Sequence, residues 1–283
     1  MKLQFFGVLA LSCVVLTATG AEAQSGDTNY PLSPAGSTAA CGATVFQEHF
    51  DGASLSSAWA PLTNTTEGGG QLEAFEPSAV SVGSNGLALT ATKGGPSPAL
   101  YTSGRVQTVK TFLYGCFFVT AKLPAGNGLW PAIWLRTPYP INGELDLMEQ
   151  RGSRPGEFQS TNHDWANEVH LNSVCATVRF ASTTPWPGSG PCSSRNSIIP
   201  GSGDFSKAFH TYGLIWTPIL ATFLIDGQPY FSTSDYIVHL PMNIVLDLAV
   251  GGTFDLIPVD ATTPFPSALL VRDVTVTALA PNP

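Results

Sequence analysis

Along this chain, short apolar stretches with strict or near-strict alternation are separated every eight to twelve residues or so by Gly, Pro and Asn. VFQEHF, LALTATK, YGCFFVTAKL, WPAIWLR, GELDLME, ATVRFAS, TYGLIWT, ATFLID, NIVLDLAV and ALLVRDVTV each read as a strand. No stretch carries the 3.6-residue period of a long amphipathic helix. Asp226-Gly227, between ATFLI and QPYF, is a hairpin-turn signal, because both residues tolerate positive φ. Many short strands at this spacing predict an all-β sandwich or jelly roll. No internal repeat is visible, and one domain over residues 41–283 accounts for the length.

The first residues follow a different pattern. Lys2, an apolar run from Phe5 to about Thr17, and Ala21-Glu22-Ala23 predict a secretory signal peptide over residues 1–23. Its apolar run is too short for a membrane span, and no later stretch is long enough either. Residues 24–40, rich in Ser, Gly, Pro and Ala, predict a flexible extension. The expected product is secreted, extracellular and monomeric. In that oxidising compartment Cys41, Cys116, Cys175 and Cys192 allow three pairings, of which Cys41–Cys116 with Cys175–Cys192 is the expectation here. Asn64-Thr65-Thr66 is a glycosylation sequon in a polar segment.

Within this β-rich pattern one strand is unusual. GELDLMEQRG, Gly143 to Gly152, sets Glu144, Asp146 and Glu149 among Leu145, Leu147 and Met148. Alternation puts Glu144 and Asp146 on one face and leaves Glu149 with the wrong parity. A β-bulge near Leu147 or Met148 would bring Glu149 onto that face as well. Retaining glycosidases need a nucleophilic carboxylate and a protonated carboxylic acid about 5 to 5.5 Å apart. Glu144 and Glu149 suit those roles, with Asp146 between them to separate their pKa values. The competing reading is an edge strand with outward charges.

GELDLMEQRG resembles the signature of glycoside hydrolase family 16, Glu-x-Asp-x-x-Glu in its bulged, laminarinase-like branch. GLWPAIWLR (Gly128 to Arg136), YTSGR (Tyr101 to Arg105), FHTYGLIWTP (Phe209 to Pro218) and LAVGG (Leu248 to Gly252) resemble that family's other motifs, in its order. The resemblance implies a β-jelly roll of two antiparallel sheets with a concave glycan-binding cleft. It implies Glu144 as nucleophile, Glu149 as acid/base and Asp146 as assisting residue. Trp130 and Trp134, sharing a face by alternation, are the expected sugar platforms, with core packing as the competing role. Arg105 is the expected polar anchor, for a sugar hydroxyl or a carboxylate. Trp186, in the Pro/Gly-rich loop 183–203, and His170 complete the expected substrate contacts. His210 and Trp216 read as buried supports. His163, Asp164, Glu168 and His170 lack a metal-ligand spacing and read as cleft rim.

The chain also departs from the family pattern. Phe118 and Ile215 stand where a Glu is common, and Asp247 replaces the Asn of LNLAVGG. Thr253-Phe254 replaces the Asn-Trp that often follows, and all five positions are expected near the sugar. A His common on the strand after the acidic one has no clear match, with Arg179 or His170 in its place. The positions of the family's convex-face calcium site carry Glu48, His49 and Arg272 or Asp273, so no cofactor or metal is expected. With a net charge of −8 and 11% charged residues, the chain has no basic patch for nucleic acid or acidic glycan. The expected partner is a neutral β-glucan, hydrolysed by an endo-β-1,3(4)-glucanase. The alternatives are a cell-wall transglycosylase using the same residues and a non-catalytic glucan-recognition protein.

Overall fold

A computed structural model of the chain describes residues 41–64, 69–138, 143–164, 172–183, 196–199 and 203–280. The expected signal peptide and extension, the sequon threonines, His170, Trp186 and Cys192 lie outside the described residues.

Eighteen strands follow one another with a single 3-10 turn, Pro77–Ala79, among the described residues. They are β1 (Cys41–Glu48), β2 (Trp59–Pro61), β3 (Glu73–Phe75), β4 (Val80–Gly83), β5 (Gly86–Lys93) and β6 (Tyr101–Ser103). Then come β7 (Arg105–Thr108), β8 (Gly115–Lys122), β9 (Leu129–Arg136), β10 (Glu144–Glu149), β11 (Glu157–Asp164) and β12 (Asn172–Phe180). The last are β13 (Asn196–Ile199), β14 (His210–Trp216), β15 (Ala221–Ile225), β16 (Gln228–Thr233), β17 (Asn243–Val250) and β18 (Ser267–Leu279).

An eight-stranded sheet runs β13-β12-β11-β10-β9-β17-β7-β2. A ten-stranded sheet runs β16-β15-β14-β8-β18-β5-β6-β3, with β1 beside β18 and β4 beside β5. The sheets are not purely antiparallel as expected, since β12 with β13 and β3 with β6 pair in parallel. Asp226 and Gly227 have φ of 48° and 76° and close the two-residue hairpin between β15 and β16, as their sequence signals.

Alternation decides what fills the space between the sheets. From the eight-stranded sheet come Leu129, Ile133 and Leu135 of β9 and Ile244, Leu246, Leu248 and Val250 of β17. From the other come Leu87, Leu89, Phe117, Val119, Tyr212, Leu214 and Trp216, all at most 1% exposed. Burying side chains of this size stabilises the fold by about 1.5–3 kcal/mol each. Trp216 is core, as expected, and its Nε1 donates to the Val238 carbonyl at 3.1 Å.

A smaller cluster of Cys116, Phe118, Ile215 and Leu224 packs apart from this core, with Cys41 and Leu279 against it. By strand parity it covers the outer side of the ten-stranded sheet, where the Cys41–Cys116 disulfide ties β1 to β8. Phe118 and Ile215 therefore lie away from the acidic strand, which corrects the expectation that they face sugar. Cys175 is disulfide-bonded as well.

The positions implied for calcium do not fit that ion. Glu48 accepts the Phe50 amide at 3.1 Å and the Ser56 hydroxyl, and His49 Nδ1 sits 2.5 Å from Asp273 Oδ1. Arg272 stacks over Phe209 at 3.9 Å. Calcium takes about six to eight oxygens, and here an imidazole and a guanidinium stand among them.

Candidate active site

The acidic strand lies in the middle of the eight-stranded sheet, between β9 and β11. Glu144, Leu145 and Asp146 stand opposite Arg136, Leu135 and Trp134, and the ladder then resumes with Met148 opposite Ile133 and Glu149 opposite Ala132. Leu147 is thus the extra residue of a bulge, where the sequence needed one. Met148 and Leu147 both enter the core, at 0% and 1% exposure. The freed Leu147 carbonyl accepts the Ser160 hydroxyl of β11 at 2.5 Å, and Ser160 in turn contacts the Tyr230 hydroxyl at 2.5 Å.

With the parity repaired, one outward face carries all three acids. In register with them are Trp130, Ala132, Trp134 and Arg136 of β9, Asn243, Val245, Asp247 and Ala249 of β17, and Gln159, Thr161 and His163 of β11. His163 Nε2 lies 2.9 Å from Asp146 Oδ2 and 3.6 Å from Glu144 Oε1. His163 thus stands between Asp146 and Glu144. Asp146 and Glu149 are buried close enough on this face to influence each other's ionisation. Burial, then the Asp247 charge, pushes the Asp146 carboxyl well above its ordinary range, and its contact with Glu149 partly offsets this. Burial, then Asp146, raises Glu149 as well, against the lowering influence of His163 and the Trp130 N–H. Both carboxyls are thus biased toward the protonated form, the direction that acid-assisted bond cleavage requires.

The ligand-type atoms of Glu144, Asp146 and His163 all lie within 4.8 Å of one another. Two of the three are already engaged with each other at 2.9 Å.

Of the expected substrate residues, Trp134 has the features of a sugar platform. It is half-buried, with the Arg105 and Arg136 guanidinium groups 5.6 and 5.4 Å from its ring, and its buried Nε1 has no acceptor among the described residues. Trp130 plays a different part: its Nε1 donates to Glu149 Oε1 at 3.1 Å, and its ring stacks on Phe254 at 4.9 Å and 16°. Arg105 is 3% exposed and bonds Asp247 Oδ2 through Nε and Nη2, both at 2.6 Å. Its carboxylate partner is thus Asp247, one ladder position across from β7. His210 is half-buried but bonds Asp226 of the β15–β16 turn at 2.8 Å, which places it in the opposite sheet.

His163 takes the place for which the sequence offered Arg179 or His170. It stands directly opposite Glu144 on β11, whereas Arg179 pairs with Glu157 at the strand's far end. The parity of Gln159, Thr161 and His163 is the signal that could have found it. Glu73 was not anticipated either. It is 1% exposed on β3, its Oε2 accepts the Val250 amide at 2.8 Å, and its Oε1 has no partner among the described residues.

The profile described as "Glycosyl hydrolases family 16" matches residues 73–254. A glucan endo-1,3-beta-glucosidase of Cryptopygus antarcticus is 34% identical over 173 residues, 54% of this chain and 57% of that protein. A beta-1,3-glucan-binding protein of Penaeus monodon is 30% identical over 133 residues, 44% of this chain and 33% of that protein. These matches thus span little more than half, and a third, of those relatives' lengths. The endo-beta-1,3-glucanase of Pyrococcus furiosus superposes with a TM-score of 0.69 at 25% identity, covering 84% of this chain and 95% of that one. The profile match takes in the acidic strand, both cleft tryptophans, Asp247 and Phe254, and with the β-jelly roll it establishes that the chain belongs to glycosyl hydrolase family 16.

Proposed function

We propose that the chain is a secreted, retaining endo-β-1,3(4)-glucanase acting on laminarin-like or mixed-linked β-glucans. The observation that carries this reading is the bulged strand, which aims Glu144, Asp146 and Glu149 from one face. In the first step a Glu144 oxygen attacks the anomeric carbon while the Glu149 proton passes to the departing glycosidic oxygen. In the second, the Glu149 carboxylate takes a proton from water, whose oxygen displaces Glu144 from the same carbon and regenerates both groups. Inversion occurs twice, so configuration is retained. Asp146, buried beside Glu149, raises that group and so favours its protonated form, and His163 stands between Asp146 and Glu144.

The substrate class follows from charge and surface. Half-buried Trp134 offers the exposed part of its ring to a sugar face, and a chain of net charge −8 favours a neutral glycan. The endo-1,3-glucanase names of two of the similar proteins support the β-1,3 linkage. A second reading, glucan recognition without turnover, is raised by the similar glucan-binding protein of Penaeus monodon. Retention of the three acids in one row favours catalysis.

The test is incubation of the mature chain with laminarin, mixed-linked β-glucan, xyloglucan and agarose, followed by product sizing and anomeric NMR. Short products released first as β-anomers from laminarin are expected. Binding without products would transfer the assignment to recognition. Glu144→Gln, nearly isosteric, is expected to keep the fold and lower kcat by about a thousandfold or more; unchanged turnover would remove Glu144 from its role.

A further inference from the structure

Trp130 was expected to offer its face to a sugar, yet its neighbours occupy it. Phe254 stacks on the indole at 4.9 Å and 16°. Gly252 has φ of 85°, and a Cβ there would come 3.1 Å from Trp130 Cζ3, so the backbone itself closes on the ring. The Arg151 guanidinium lies over the Phe254 ring at 4.2 Å, and Arg151 Nε donates to the Phe254 carbonyl at 2.8 Å. Behind this column Asp255 fastens the loop: it accepts Ser153 N at 3.0 Å, Ser153 Oγ at 2.7 Å and Gly128 N at 3.3 Å. Phe254 and the Gly252 backbone thus bound the indole, and its polar end points at Glu149 Oε1, 3.1 Å away.

We infer that Phe254 is a positioning residue for the acid/base group: it clamps Trp130 so that the indole N–H stays on Glu149. Phe254 stands where the family pattern has a tryptophan, so the clamp is a feature of this chain's own residues. A consequence for recognition is that the stacked face of Trp130 is closed to sugar. The inference rests on the assignment of Glu149 as acid/base made above.

The indole N–H stabilises the ionised form of Glu149, so it opposes the upward effect of burial. Glu149 must carry its proton to cleave the bond, and the alkaline limb of the pH profile follows that proton. Without the N–H, the limb moves to higher pH by about one unit, the effect of one hydrogen bond to a charged group.

The experiment is kcat/KM for laminarin against pH for the wild-type chain, Trp130→Phe, Phe254→Leu and Phe254→Tyr. Trp130→Phe removes the N–H but keeps a ring; Phe254→Leu keeps apolar bulk but removes the flat partner. Both are expected to shift the alkaline limb upward by about one unit, while Phe254→Tyr, which preserves the stack, keeps the wild-type limb. A merely structural Phe254 would lower thermal stability in Phe254→Leu and leave the limb in place, which overturns the inference. A shift in Trp130→Phe alone would keep the N–H contact but overturn the role of Phe254. Absence of turnover by the wild-type chain would instead overturn the glucanase reading, so the two failures are distinguishable.

Discussion

Among single residues, the Arg105–Asp247 pair shows how far the site depends on charges taken out of water. Both side chains are nearly fully buried, at 4% and 3% exposure, and Arg105 also stacks over Phe75 at 4.1 Å. Removing one partner leaves the other as an uncompensated buried charge, which costs about 3–5 kcal/mol, whereas removing both leaves only a packing defect. Arg105→Met is therefore expected to lower unfolding free energy by about that amount, and Arg105→Met with Asp247→Leu by clearly less. Denaturant titration of both variants checks this; a double variant no more stable than the single one would show that Arg105 acts through packing alone. Asp247 also lies among the influences that raise Asp146, so the substitution of Asp for the family's Asn links the pair to the catalytic acids. The sequence exposed Asp247 as a departure and Arg105 as an anchor. It did not pair them, because they are 142 residues apart and meet only through strand register.

Among elements, the bulged strand held by its neighbour is the unit that matters. An extra residue leaves a carbonyl outside the ladder, and here the Ser160 hydroxyl takes it up. Ser160→Ala leaves the buried Leu147 carbonyl without that donor, at a cost of about 1–3 kcal/mol. Because Leu147 sets the parity of Glu149, kcat on laminarin is expected to fall together with stability. A variant that loses stability and keeps kcat would show that the bulge persists without the hydroxyl. The bulge was legible beforehand, since three acids in that spacing share a face only if one residue is looped out. The strand that stabilises it was not. In β11 Ser160, Thr161 and Asn162 are buried at 0–1% exposure, so apolar alternation is missing from the sequence. Their burial is possible because each finds a partner in the fold, as Asn162 Nδ2 does in the Asp235 carbonyl at 2.6 Å. That same gap hid His163, which lies on this strand. Strands with one apolar face, such as β9 and β17, were read correctly for the opposite reason: their inward residues are all hydrophobic.

In the molecule as a whole, the eight-stranded sheet and its flank carry several buried acids, in a chain already eight charges negative. Asp146 and Glu149 are raised, and Glu73 is pushed up to about 7 from an ordinary value of 4.5. For Glu73 burial is the main cause and Asp247 a smaller one, against the lowering effect of the Val250 amide and Arg105. Below pH 4.5 the folded and unfolded chains both hold this proton, and the folded state bears no penalty. Between pH 4.5 and 7 the unfolded chain ionises while the folded one keeps its proton. Stability therefore falls with rising pH, by about 3 kcal/mol in total from this group, and levels off above its folded pKa. Glu73→Gln cannot ionise, yet its amide oxygen can still accept the Val250 N–H. Urea unfolding at pH 4.5, 6 and 8 should show wild-type stability declining more steeply than that of the variant, with the variant the more stable at pH 8. Parallel curves would mean that Glu73 is ionised in the folded chain throughout, with Arg105 carrying its charge, and that the pH response of the fold arises in the catalytic acids alone.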